Sequence, residues 1–235
     1  MSLLALEHVE KAYGSGSGRH VVLRDVSLEI EAGEMVAVWG LRRSGRSTLL
    51  RVAAGIEAPD AGSVRFEGHD LRGRSRGREA LGEQIGYCRK TFRPSEGRLV
   101  IDHLIVGQLA RGVPVARAAT RARAALERTG AEQCAGRTPG ELDWAECVRV
   151  SIARAIALQP TALLIDEPTI GVDVLARDAI LLMLLSLANE GLAVLTSTGE
   201  STGLAGARAL TLGEGELHGG PSGELAPVVP LRRSA

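Results

Sequence analysis

The stretch "VAVWGLRRSGRSTLL", residues 36–50, decides the fold. An apolar strand, Val36 to Trp39, runs into Gly40, four residues follow, and Gly45-Arg46-Ser47-Thr48 closes the pattern. That is the order of a phosphate-binding loop, G-x-x-x-x-G-K-[ST], with arginine in the lysine position. Gly40 and Gly45 let backbone N–H groups close around an anion. A helix beginning near Ser47 turns its positive end toward the same place.

Composition limits what surrounds this loop. A chain of 235 residues with 45% apolar content can build one sizeable α/β domain or two small ones around a buried core. Lys+Arg and Asp+Glu both number 28, so zero formal net charge gives no whole-domain attraction to nucleic acid or an acidic membrane surface. Cys88, Cys134 and Cys147 are far apart, which fits neither a disulfide framework nor a C-x-x-C metal site and suits a reducing cytoplasm. The N-terminus carries no basic-then-apolar signal segment. The longest apolar run, Ala179 to Ala188, is too short to cross a bilayer. The only lysines are Lys11 and Lys90, so a coding bias accounts for an arginine at position 46. It does not make that arginine harmless, because a planar five-donor fork does not replace a point charge at a tight site.

The order of elements is that of an α/β domain. Leu3 to Val9 and Val21 to Ile30 alternate apolar and polar residues as half-buried strands do, with the Gly-Ser-Gly-Ser-Gly run at 14–18 as the turn between them. Met35 to Trp39 is continuously apolar, the pattern of a strand buried on both faces. Ser63 to Phe66 and Ile85 to Cys88 read as short strands. Ile101 to about Gly130 reads as helices. Ala162 to Ile165 is an apolar strand ending in Asp166-Glu167-Pro168, followed by a helix to about Asn189 and a strand Leu192 to Leu195. Arg72 to Arg78, "RGRSRGR", reads as a solvated loop rather than a nucleic-acid patch.

Two longer strings carry a resemblance that covers nearly the whole chain. "VVLRDVSLEIEAGEMVAVWG" before the loop and "ARAIALQPTALLIDEPTIGVD" well after it are similar to the nucleotide-binding domain of ABC (ATP-binding cassette) transporters. The second is the more specific, matching the family's run from the helix after the signature motif through Walker B to the D-loop. "LLRVAAGIEAPDAGSVRFEGHDL" is similar to the subgroup serving lipoprotein release and macrolide export. The resemblance implies a P-loop NTPase core with an N-terminal antiparallel β layer and an inserted helical subdomain. Residues 1–225 would form one cassette, with the core at 1–91 and 159–225, the helical subdomain at about 92–158, and a tail at 226–235. It also implies ATP and Mg2+ as cofactors, a membrane permease and a second ABC ATPase chain as partners, and a cytoplasmic location on the inner face of the cell membrane. The single cassette and zero net charge speak against a nucleic-acid partner.

The family's functional positions transfer residue by residue. Tyr13 falls where the family stacks an aromatic on adenine; the plain alternative is a half-buried tyrosine at a strand end. Gly40, Arg42, Arg43, Ser44, Gly45, Arg46, Ser47 and Thr48 form the phosphate loop, with Ser47 as a magnesium ligand. The family has small residues and glycine at 42 and 43, so the two arginines add bulk and remove a flexible point. Asp166 holds magnesium in the Walker B position, and Glu167 is the general base for the attacking water. The Q-loop glutamine is replaced by Lys90, whose ammonium would stand in for part of the metal's charge. The H-loop histidine, which contacts the γ-phosphate, is assigned to Ser197. Gly171, Val172 and Asp173 keep the D-loop register.

The signature L-S-G-G-Q is altered most, reading Leu142-Asp143-Trp144-Ala145-Glu146. In the family's head-to-tail dimer this segment faces the ATP on the partner. A carboxylate there opposes closure: at about 4 Å and an effective dielectric of about 20, unit charges repel by roughly 4 kcal/mol. Asp143 followed three positions on by Glu146 is instead a capping-box start for the next helix. With Walker A, Q-loop, signature and H-loop all altered, the expected function is an ATP-binding subunit with impaired hydrolysis. The alternative is a working ATPase in which Arg46 substitutes for lysine.

Overall fold

The computed structural model describes residues 2–71, 84–89, 97–199 and 206–219. In chain order, β1 (Leu4–Tyr13) and β2 (His20–Ile30) precede β3 (Met35–Trp39), which leads through the glycine loop into α1 (Arg46–Ala53). β4 (Ala61–Phe66), β5 (His69–Asp70) and β6 (Ile85–Cys88) follow, then α2 (Val100–Leu109), α3 (Val115–Arg128) and α4 (Trp144–Ile156). The chain returns through β7 (Ala162–Ile165), α5 (Val174–Asn189) and β8 (Ala193–Thr198) to a hairpin of β9 (Arg208–Gly213) and β10 (Glu216–His218).

Two sheets result. One is antiparallel, in the order β2-β1-β4-β5; the other runs β10-β9-β3-β8-β7-β6 and is parallel except where β10 turns back on β9. One core lies between the sheets and takes in Leu49, Leu50, Val52 and Ala53 of α1. The other packs α2 to α5 against the parallel sheet through residues such as Leu104, Leu126, Ile152 and Leu184. β3 sits between β8 and β9, so the loop leaving its carboxyl end opens at the point where open α/β sheets place their ligands.

The continuous apolar runs fall where they were read: β3, β6 and β7 match residue for residue. β4 begins at Ala61 rather than Ser63, and two further strands run well past their hydrophobic patterns. β1 continues past Val9 to Tyr13 because its backbone stays paired, with Lys11 opposite Leu23 and Tyr13 opposite His20. β8 continues past Leu195 through Thr196, Ser197 and Thr198 because β3 and β7 flank it and bury polar residues along with apolar ones. The hairpin β9–β10 is an addition, legible in hindsight from the alternation of "RALTLG" before Glu214-Gly215. Arg72 to Arg78 lies outside the described residues.

β1 bulges at His8, whose φ is 50°, and Gly62 makes room for it. A Cβ at Gly62 would stand 2.1 Å from the His8 carbonyl oxygen, on a backbone with φ of 79°. Gly62→Ala is therefore expected to destabilise the chain by at least about 2 kcal/mol, read as a lowered denaturant midpoint.

Asp60 ties the turn after α1 back to β1. One carboxylate oxygen accepts from the Ala12 N–H at 2.8 Å and the other from Lys11 Nζ at 3.1 Å. The Ala12 N–H, then the Lys11 ammonium, hold this carboxyl below its ordinary value. A depressed carboxyl contributes stability above its unfolded pKa of about 3.9, and loses it as pH falls through the lower folded value. Melting temperatures of the native chain should fall below about pH 4, and Asp60→Asn should flatten that acid limb.

Candidate functional site

The loop after β3 keeps a phosphate cradle's backbone. Gly45 has φ of 104°, and a Cβ there would meet the Val22 carbonyl oxygen at 2.8 Å. A Cβ on Gly40 would meet Ser44 Oγ at 2.4 Å and the Leu212 carbonyl oxygen at 2.6 Å. The Ser44 hydroxyl is buried and has no hydrogen-bond partner among the described residues, as an oxygen awaiting an anion would be. Arg43 takes φ of 67°, the left-handed conformation that glycine adopts freely, at a cost of roughly 1–2 kcal/mol. Arginine at 43 therefore strains the loop. The Arg42 and Arg43 side chains stand exposed at the rim.

Arg46 and Glu167 both line the cavity at the loop, and the Arg46 guanidinium is already paired there. That guanidinium is buried, with Nη2 donating to Glu167 Oε1 at 2.5 Å and Nη1 donating to the Thr198 carbonyl oxygen. Side-chain exposure is 6% for Arg46 and 11% for Glu167, so the pair is shielded from water. This is what arginine's fork permits and lysine's point charge does not: one donor for each of two acceptors on separate strand ends. The expected general base is thus the counter-ion of the phosphate-loop arginine. Glu167 also has φ of 47°, an uncommon backbone for a non-glycine residue.

Ser197 is corrected by the structure. It lies within β8 opposite Val38, fully buried, donating from Oγ to Asp166 Oδ1 at 2.7 Å and accepting from the Glu167 N–H at 2.9 Å. Its side chain braces the acidic strand end and does not face a phosphate. The residue beyond β8 that looks onto the loop is Gly199, where a Cβ would stand 3.6 Å from Arg46 Nη1. Spacing alone could not separate them, because the strand runs further than its apolar residues. Asp166 is 6% exposed, and Ser47 is the second residue of α1, at the cradle's edge. Lys90 lies outside the described residues.

Tyr13 ends β1 beside α1, 38% exposed as a residue and with its hydroxyl 3.3 Å from Thr48 Oγ1. Asp143 caps α4 as its spacing foretold: its carboxylate accepts from the Glu146 N–H at 2.8 Å, and Glu146 accepts from the Asp143 N–H at 3.0 Å. Leu142 packs against the helical core, and Ala145 is half-buried in the first turn. Trp144 donates from its indole N–H to the Ile170 carbonyl and lies against Gly171, so the segment 142–146 touches the 171–173 loop of its own chain. Val172 packs on the core and Asp173 caps α5, accepting from the Ala176 N–H at 2.9 Å. Between Trp144 and Pro168, Cys88 and Cys147 line a cleft near Asp166. Burial pushes the Cys88 thiol up to about 11 and raises that of Cys147, so neither supplies a thiolate at neutral pH.

A family model described as "ABC transporter" matches residues 23–170, from β2 through the phosphate loop and the acidic strand end. The chain belongs to the ABC transporter family. It is 35% identical over 222 residues to the cell division ATP-binding protein FtsE of Escherichia coli (strain K12), covering 93% of this chain and 98% of that one. It is 36% identical over 220 residues to the lipoprotein-releasing system ATP-binding protein LolD of Maricaulis maris, covering 92% and 96%. Among solved structures, a dimeric ATP-binding cassette, MJ0796, bound to ADP and Pi superposes with a TM-score of 0.80 at 25% identity, covering 91% and 96%. The acidic pair Asp166 and Glu167 follows directly on β7. Arg46 and Gly199 lie together beside the phosphate loop, whereas Asp143 caps α4.

Proposed function

We propose that this chain is the ATP-binding subunit of a transport system, coupling nucleotide binding to a separate membrane permease and hydrolysing ATP poorly. The observation that carries the reading is the buried Arg46–Glu167 pair at 2.5 Å, which holds the general base against the phosphate-loop side chain. A general base must reach the water it activates, and Glu167 is committed elsewhere until Arg46 moves. The cradle formed by Gly40, Ser44 and Gly45 supports retained triphosphate binding. Ser47 and Asp166 would hold magnesium, which when bound neutralises developing phosphate charge. No helix among the described residues is long and apolar enough to cross a membrane.

A working ATPase is favoured by one observation, the retention of both Asp166 and Glu167 at the carboxyl end of β7. One experiment separates the two readings: isolate the chain from mild detergent at native expression, then measure ATP binding and turnover on the same sample. The expected result is a co-purifying permease, saturable ATP binding and turnover far below that of an ordinary cassette. Brisk turnover would establish the ATPase, and recovery only as a soluble monomer would remove the transport reading.

A further inference from the structure

The site has a second half, around Tyr13, held together by residues outside the phosphate loop. Lys11 lies over one face of the Tyr13 ring, its ammonium 5.8 Å from the centroid. It is anchored there by the Ala58 carbonyl at 2.8 Å and by Asp60 at 3.1 Å. At the other end of the ring, Arg51 on α1 donates from Nη2 to the Tyr13 hydroxyl at 3.1 Å and to Thr48 Oγ1 at 3.2 Å. Arg51 is aimed by Glu57, which accepts from its Nε at 3.1 Å and lies 3.6 Å from Lys11 Nζ. The contacts close on themselves: tyrosine, arginine, glutamate, lysine, and back to the tyrosine ring.

This arrangement fixes the ring in two ways. The cation on one face and the two partners on the hydroxyl leave little freedom about either side-chain torsion, while the ring remains partly exposed for stacking. Burial opposes charge on both Arg51 and Glu57, but their hydrogen bonds and mutual attraction outweigh it, raising the one and lowering the other. Both therefore stay charged at neutral pH, and the guanidinium remains committed to the tyrosine and the glutamate rather than to a phosphate.

Building on the proposed ATP binding and on the sequence reading of Tyr13 as its base platform, we propose that Arg51, held by Glu57, is a positioning residue for nucleoside recognition. It fastens the aromatic platform to the same helix that carries the phosphate loop, so that base and triphosphate are received in fixed register. A ring freed of this tie must be ordered when ligand binds, which weakens nucleotide affinity by about fivefold. A ligand without a base does not touch the platform and does not bear that cost.

Titration calorimetry of the full chain with ATP and with inorganic triphosphate, both with magnesium, tests this in the native chain, Arg51→Leu and Tyr13→Phe. The phenylalanine variant keeps the ring and removes only the hydroxyl. Each variant should bind ATP about fivefold more weakly and triphosphate within about twofold of native, and the double variant should be no worse than either single one. Equal weakening of both ligands in Arg51→Leu would mark a charge or folding effect and overturn the inference. So would unchanged ATP affinity in Tyr13→Phe. The underlying reading fails separately and visibly in the native chain: equal affinity for ATP and triphosphate removes the base platform, and binding of neither removes the nucleotide site.

Discussion

Glu167→Ala will lower the melting temperature by about 6 to 20 °C, an effect on stability more than on chemistry. The reason is the environment of Arg46, whose guanidinium is buried and shares its donors between Glu167 and the Thr198 carbonyl. Removing the carboxylate leaves a buried cation without its counter-ion, which costs about 3–5 kcal/mol. A chain of this length converts each kcal/mol into about 2–4 °C. The double variant Arg46→Leu with Glu167→Leu should recover most of the loss, because a buried ion pair replaced by apolar residues of similar volume is close to neutral. Calorimetric melts of the two variants decide it. If Glu167→Ala melts within about 2 °C of the native chain, Arg46 is satisfied by water or by other groups, and the pair does not hold Glu167 tightly.

Arg46→Lys alone will change ATP turnover by less than about threefold, whereas Arg46→Lys combined with Lys90→Gln, Asp143→Ser and Gly199→His will raise it by at least about 100-fold. The single change loosens the hold on Glu167 but leaves no side chain at Gly199 and a carboxylate at Asp143, which on the proposed reading would face a partner's nucleotide. Groups that act as a unit are grossly non-additive, and one missing transition-state donor costs about 10²–10³ in rate. Histidine at 199 is sterically reasonable, since a Cβ there makes only ordinary contact, 3.6 Å from Arg46 Nη1. Steady-state phosphate release by the purified assembly checks both variants. A single substitution that restored ordinary turnover would mean that one residue, not a set, had slowed the site.

Comparison with its relatives adds the family but not the fate of individual side chains. FtsE and LolD are named as ATP-binding proteins, and the cassette bound to ADP and Pi shares this fold. None of them says where Arg46 points.

From the residue pattern alone one reads β3, β6 and β7 correctly, the glycine cradle, the acidic strand end and the Asp143–Glu146 cap. Each depends on contacts within a few positions: apolar runs, glycine at a fixed spacing, a side chain returning to a backbone three residues on. What local pattern could not show is which groups meet across the fold. Arg46 and Glu167 are 121 positions apart, and Arg46 and Thr198 are 152 apart, so the pairing exists only once β3, β7 and β8 lie side by side. The placement of Ser197 against Asp166 and of Gly199 beside Arg46 has the same origin. A strand's length and facing are set by its neighbours' hydrogen bonds, and β8 is carried two polar residues beyond Thr196 by its ladder with β3.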